Sequence, residues 1–266
     1  MLKNKVIVLT GAGGGIGSAL TQVLSKAGAS LILVGRDQQK LDGINQLLGT
    51  KHNVLIADIA ITEGRQAIAA HCQQLDTGIH MLINNAGIGA FKSFETMDPS
   101  EVVRLININL SSTILLTQAL LPLLNAQAEA QIINIGSAFG SIGFPGFAVY
   151  SASKFGLRGF TEALSRELRD GPVSVRYFAP RATKTLLNDS RVEALNQALK
   201  TPVDSPERVA DEFLSFLQSK SLRYFVGWPE KLFARINGVF PSLVDSAIGK
   251  QLPIIKRCLS KETLES

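Results

Sequence analysis

A phenol and an ammonium stand four residues apart in the segment YSASK, Tyr150 to Lys154. If that segment is helical, both side chains share one face. A free tyrosine has a pKa near ~10 and is a poor base at neutral pH, whereas an ammonium nearby favours the phenolate. Lowering the pKa by about three units takes roughly 4 kcal/mol of differential interaction, within reach of two nearby cations in a closed site rather than of one. Together the two groups could pass a proton to or from an oxygen atom, and a serine hydroxyl could hydrogen-bond the charge that develops there. Taken alone, Tyr-x-x-x-Lys is a common coincidence on helix surfaces, so its meaning depends on the elements around it.

Those elements alternate. The runs KVIVLT, SLILVG, NVLIAD, HMLINN, QIINIG, VSVRYF and RYFVG are short and rich in Val, Ile and Leu. Several are apolar nearly throughout, as expected for strands buried on both faces of a parallel sheet. Longer segments of helical period lie between them. Leu41, Ile44, Leu47 and Leu48 form one apolar face, ended by Gly49. Phe155, Phe160, Ala163, Leu164 and Leu168 form another, and Ser205-Pro206 reads as an N-cap and first helical residue. The alternation predicts a single-domain, doubly wound (Rossmann-type) α/β fold: a seven-stranded parallel sheet with right-handed crossovers and helices on both faces. Ligands of such sheets bind at the carboxyl ends of the strands. The expected organisation is a catalytic domain over residues 1–230 and a C-terminal extension, 231–266, packed on it.

The first strand ends in TGAGGGIG, with Gly11, Gly15, Ile16 and Gly17 leading into a helix. Glycines allow a tight turn and close approach, and the helix N-terminus offers N–H groups to a pyrophosphate. The second strand ends at Gly35-Arg36 rather than in an acidic residue. A guanidinium can pair bidentately with a 2′-phosphate, which favours NADP(H) over NAD(H). Asp37 could instead pair with Arg36 or touch the ribose. Asp58 is placed either to accept a hydrogen bond from an adenine amino group or to cap a helix.

The motifs Thr10-Gly-x-x-x-Gly-x-Gly17, NNAG at 84–87, Asn109, Ser137, Tyr150-x-x-x-Lys154 and a proline after the sixth strand occur in that order. In this the chain resembles the classical short-chain dehydrogenases/reductases, over residues 5 to about 230. The resemblance implies that Tyr150 is the general acid/base and Ser137 the partner of the substrate carbonyl. It makes Lys154 the cation near the phenol and a holder of the nicotinamide ribose, and Asn109 the residue that positions a relay water. Asn109 is preferred to Asn107 on register, although the glycine usual three residues later is Ser112. Asn85 and Gly87 are implied as cofactor contacts, and Thr185 as a contact of the nicotinamide carboxamide. Arg181 replaces the glycine usual after Pro180; cofactor phosphate, an anionic substrate or solvent are all open to it. A substrate-covering lid is implied after the sixth strand, with Leu186, Leu187, Val192, Leu195 and Leu199 on its apolar face.

Composition narrows the remaining classes. Apolar residues make up 45% and charged residues 18%, as in soluble globular proteins. Cys72, Cys258 and the histidines 52, 71 and 80 have no metal-ligand spacing, so no metal is expected, and the cysteine usage suits a reducing cytoplasm. No signal peptide and no apolar stretch long enough to span a membrane are read. The net charge is +5. Residues 218–257 carry that whole excess, with seven basic side chains, including Lys231, Arg235 and Lys250, against Glu230 and Asp245. Leu232, Phe233, Ile236, Val239 and Phe240 recur there at helical spacing. Packing on the body or in a subunit interface is the leading expectation for this tail, with peripheral membrane contact as the alternative. Nucleic-acid binding is not indicated. The expected function is hydride transfer between NADP(H) and an apolar or amphipathic ketone, aldehyde or 3-oxoacyl substrate, in a cytoplasmic homodimer or homotetramer. A catalytically inactive dinucleotide sensor and a related epimerase or dehydratase are the alternatives.

Overall fold

The computed structural model describes residues 2–185, 188–228 and 230–260; Leu186 and Leu187 of the expected lid face lie outside them. Seven parallel strands form one sheet: β1 (Val6–Thr10), β2 (Ser30–Gly35), β3 (Asn53–Ile56), β4 (Met81–Asn84), β5 (Ala130–Ile135), β6 (Val173–Ala179) and β7 (Arg223–Phe225). Their spatial order is β3-β2-β1-β4-β5-β6-β7. The chain winds one way from β1 to β3 and the other way from β4 to β7, so the switch point lies between β1 and β4. Period-2 alternation explains the apolar runs. Ile7 and Leu9 point into one core layer, with Leu31 and Leu33 beside them, while Val8, Ile32 and Val34 fill the opposite layer.

The first layer is covered by α1 (Gly15–Lys26), α2 (Gln38–Leu47) and α8 (Pro206–Gln218), the second by α3 (Thr62–Gln73), α5 (Ser112–Asn125) and α6 (Ala148–Glu167). The Ser205 hydroxyl accepts from Arg208 N at 3.2 Å and Pro206 opens α8, as the Ser-Pro pair predicts. Two helical faces differ from the expected ones. In α2, Leu41 is buried but Leu47 is 83% exposed. In α6, Phe155 and Ala163 are exposed, and the inward face is Ser153, Lys154, Leu157, Thr161 and Leu164.

Helix α4 (Pro99–Ile106) continues through a π turn, Asn107–Ser111, into α5. This 27-residue stretch is long and apolar enough, by composition, to cross a membrane, which corrects the expectation that none is. In the fold it serves as a core element: Leu116, Leu120 and Leu124 are fully buried against the sheet. Beyond β6, α7 (Ser190–Ala198) packs against α10 (Pro241–Leu259), and α10 against α9 (Glu230–Val239).

The aromatic layer under β6 is a sensitive point. The Phe178 ring meets Phe213 edge-on at 5.2 Å and Phe216 at 5.5 Å, all three fully buried. Phe213→Ala is expected to lower unfolding free energy by about 3–5 kcal/mol in urea titration. A loss below about 1 kcal/mol would mean that this layer does not hold α8 to the sheet.

Candidate active site

At the switch point β1 ends in a turn that only glycine permits. Gly11 has φ +64°, and a Cβ there would lie 2.8 Å from Ala86 Cα; a Cβ on Gly17 would meet the Gly11 carbonyl oxygen at 2.1 Å. Thr10 Oγ1 accepts from the N–H groups of Asn85 and Ala86 at 3.0 Å each, and Asn85 Nδ2 donates back to the Thr10 and Gly11 carbonyls. Asn85 thus braces the loop with both amide hydrogens. Helix α1 starts at Gly15 with no side-chain cap and no acidic residue in its first turn. Its N–H groups and dipole are therefore not claimed by a side chain, which fits a diphosphate. The Thr185 side chain sits against Gly15, where a Cβ would lie 2.9 Å from its methyl carbon.

At the far end of the same cavity, Arg36 is 61% exposed and reaches Asp58 at 3.7 Å. Asp37 turns away from it, caps α2 by accepting from Lys40 N at 3.1 Å, and pairs with the Lys40 ammonium. The Lys40 contacts hold its carboxyl below the usual range. Asp58 does not cap a helix: its Oδ1 accepts from Ala60 N at 2.9 Å, and Ile61 occupies the N-cap of α3.

Tyr150 and Lys154 lie one turn apart in α6, and Ser137 follows β5. Ser137 lines the cavity beside Tyr150, and its hydroxyl accepts from Phe139 N at 3.1 Å. The Lys154 ammonium is buried, donates to the Ile135 carbonyl at 3.0 Å and lies 5.9 Å from the Tyr150 ring centroid. Asn109, in the π turn, accepts from Ile88 N at 2.8 Å and donates to Ile88 O and to Ser153 Oγ. Its Oδ1 and the Lys154 Nζ approach the same point, 3.2 and 3.7 Å from where a Cβ on Gly87 would be. Asn107 points elsewhere, to the Ala60 carbonyl. Ser137, Tyr150, Lys154, Gly87 and the glycine turn all line one cavity of about 1700 Å³. That is room for a dinucleotide and a second molecule.

Burial dominates the electrostatics of the pair. Burial pushes the Tyr150 phenol above its ordinary value, outweighing the lowering effect of the Ser137 side chain. Burial also lowers Lys154 to about 8. Both shifts favour the neutral form, so the protein by itself holds Tyr150 as a phenol, a proton donor. The field favouring phenolate is not supplied by Lys154 alone.

One group, Tyr177, was not visible as a site residue in the sequence, and for another, Arg181, the structure shows a partner that the sequence did not. The fully buried Tyr177 accepts from Ser137 N at 3.3 Å, and Cβ atoms on Gly136 or Gly140 would collide with its phenol. Its ring fixes the turn that presents Ser137. Arg181 lines the cavity, and its guanidinium pairs bidentately with buried Asp204 at 2.8 and 2.9 Å and donates to Trp228 O at 3.0 Å. Backbone bonds Lys184 N to Asp204 O and Asp204 N to Ala182 O stitch the same segment. The stretch that ends in Thr185 is thereby pinned. Gly227, φ +84°, gives the guanidinium its space.

A glycine-braced helix N-terminus and a proton-donating phenol in one cavity define a dinucleotide-dependent oxidoreductase of the α/β class. The profile described as short chain dehydrogenase matches residues 5–196, and the chain belongs to the short-chain dehydrogenase/reductase family. It is 32% identical over 231 residues to the 3-oxoacyl-[acyl-carrier-protein] reductase FabG of Rickettsia felis, covering 85% of this chain and 94% of that one. It is 32% identical over 275 residues to SadH of Mycobacterium tuberculosis, covering 96% and 99%. A metagenomic short-chain oxidoreductase solved with NADP shares 29% identity and superposes with a TM-score of 0.70, covering 85% and 97%. The Burkholderia phymatum family member solved with NAD has the same fold, at 21% identity, TM-score 0.82 and 91% and 95% coverage.

As pH rises through about 8, Lys154 loses its proton and the cavity its buried cation. The reductive kcat/KM is expected to fall over that range, and Lys154→Arg, which stays charged, to move the fall to higher pH. An identical fall in the arginine variant would assign it to another group.

Proposed function

We propose that the protein reduces apolar ketones or aldehydes with NADPH, and oxidises the corresponding alcohols in reverse. The observation that carries this reading is that Ser137, Tyr150 and the buried Lys154 converge on one wall of a cavity whose other end is the glycine turn. A carbonyl oxygen at Tyr150 meets a neutral phenol able to donate a proton, with the Ser137 hydroxyl as a second hydrogen-bond donor. Lys154 and Asn109 hold the region around Gly87, where the nicotinamide ribose fits the family pattern. When bound, the dinucleotide supplies the hydride; the protein supplies position and field. Gly11, Gly15, Ile16 and Gly17 hold the diphosphate, Thr185 the carboxamide end, and Asp58, Asn85 and Gly87 the adenosine and ribose sides. Arg36, mostly exposed at the rim, takes the 2′-phosphate.

The apolar preference rests on the wall around Tyr150. Phe139 and Phe147 meet the Tyr150 ring edge-on at 6.5 and 6.1 Å, and Phe144 stacks on Phe139 at 5.1 Å. Val192 and Leu195 of α7 and Val244 and Ile248 of α10 line the same cavity. A 3-oxoacyl substrate, as named for the FabG relative, is one member of this class. In this reading residues 1–230 carry the chemistry, 231–266 completes the substrate wall, and the cytoplasmic enzyme is a homo-oligomer. Val103, Leu115 and Phe155, exposed on α4, α5 and α6, offer a face for self-association.

Tyr150→Phe is expected to leave dinucleotide binding within about twofold and to lower turnover a hundredfold or more, the scale of a lost general acid. Near-wild-type turnover would remove Tyr150 from the chemistry. Removing the charge-assisted contact by Arg36→Ala should cut the preference for NADPH over NADH by about tenfold or more. An unchanged ratio of the two kcat/KM values would show that Arg36 does not read the phosphate.

A further inference from the structure

The C-terminal helices have two faces of different character. Inward, Val244, Ile248, Gln251, Ile255 and Cys258 follow one stripe of α10; the first three line the cavity, and the last two join Phe91 and Leu195 in a small core. Outward, Leu243, Lys250 and Arg257 recur at seven-residue intervals, all exposed. On α9, Leu232, Arg235 and Val239 make a matching exposed stripe. Leu232, Val239, Phe240 and Leu243 are 43%, 68%, 58% and 62% exposed, and Trp228, just before α9, is 64% exposed. Isolated apolar side chains at a surface are ordinary, but five on and beside one helical pair form a patch that calls for a partner.

Charge selects that partner. Residues 230–260 carry Lys231, Arg235, Lys250, Lys256 and Arg257 against two acids, Glu230 and Asp245. Among the described residues none of these five cations is in an ion pair. A second copy of the chain docked on this face would bring like charges together. An anionic lipid surface satisfies both components: lysine and arginine stems reach its headgroups while Leu, Val, Phe and Trp side chains enter the acyl boundary. Phe233, on α9, is 39% exposed and also lines the cavity, so the patch adjoins the apolar end of the site.

We propose that the outer face of α9 and α10 docks on an anionic lipid bilayer, setting the apolar end of the cavity against the membrane. The docking itself is independent of the catalytic reading; its use, collecting lipophilic carbonyl compounds from the bilayer, rests on that reading.

The test is sedimentation of the full chain with vesicles of phosphatidylglycerol and phosphatidylcholine in equal parts, and with phosphatidylcholine alone. Co-sedimentation with the anionic vesicles, reversed by salt, is expected, with a blue shift of fluorescence from Trp228, the one tryptophan of the chain. The combined variant Leu232→Ser, Val239→Ser, Leu243→Ser should weaken vesicle binding about tenfold or more, given the lost apolar insertion. Lys250→Glu with Arg257→Glu, which alters only exposed side chains, should do the same. Turnover of a water-soluble ketone should be unchanged in both variants, which also reports that they fold. No co-sedimentation of the wild-type chain, equal binding to phosphatidylcholine, or wild-type binding by both variants would overturn the proposal. So would a change of oligomeric state in the serine variant by analytical ultracentrifugation, which would assign the face to a second copy. Sedimentation reads no turnover, so an inactive enzyme that binds vesicles and an active one that does not are distinct results.

Discussion

An ammonium held out of water is the constraint around which the site is organised. Lys154 is only 6% exposed, and an unpaired buried charge is costly unless its donors are met. The carbonyl of Ile135, the last residue of β5, meets one of them. That carbonyl is where it is because β5 is paired on both sides: Asn84 with Asn134, and Ile135 with Phe178. A slip of one residue would turn every side chain of β5 to the opposite face and move the carbonyl away from the ammonium. The position of Lys154, and of Tyr150 one turn before it, is thus a property of sheet register.

The register has its own lock. Beneath the site, Asn84 Nδ2 donates to Asn134 Oδ1 at 2.8 Å and to Thr117 Oγ1 at 3.0 Å, and Asn134 Nδ2 donates to Thr161 Oγ1 at 2.9 Å. All four residues are buried. The Thr117 and Thr161 hydroxyls in turn donate to Thr113 O and Leu157 O. The network therefore joins β4, β5, α5 and α6 by bonds that a shifted pairing could not make. Buried polar groups are expensive when unmatched and specific when matched. Here they sit in an otherwise apolar layer, directly under the residues whose geometry chemistry requires.

This explains what the sequence could and could not reveal. The strands were legible because burial on both faces demands continuous apolar runs, and the phosphate turn because Gly11 and Gly17 have no room for a Cβ. Helix α6 was legible as a helix, but its inward face was misplaced. Hydrophobic periodicity pointed to Phe155 and Ala163, whereas the buried stripe holds Ser153, Lys154 and Thr161. A functional helix turns polar groups inward, so the usual signal inverts where function is densest. Arg181 was recognisable as unusual, but its partner Asp204 lies 23 residues on and is brought to it by a β-bridge between Thr183 and Asp204. The electrostatics of Tyr150 were out of reach for a related reason. Spacing supplies a neighbouring cation, but only the fold tells how far both groups are taken from water, and desolvation shifts each towards its neutral form.

The lining of the cavity also divides along the chain. Asn109, Ser137, Tyr150 and Lys154 all fall within the family-matched residues 5–196, and so does the polar network that holds them. The apolar end of the cavity is completed by Phe233, Val244 and Ile248, beyond that span. The helix that carries two of them is anchored through Ile255 and Cys258 to Phe91 and Leu195, so the wall is tied both to the loop after β4 and to α7. A catalytic group must stay fixed to within fractions of an ångström and draws its position from strand register. A wall that only excludes water and matches an apolar shape needs volume and packing, which a helix laid across the cavity mouth supplies. Side chains of α10 can therefore change without moving the phenol, the serine hydroxyl or the buried ammonium.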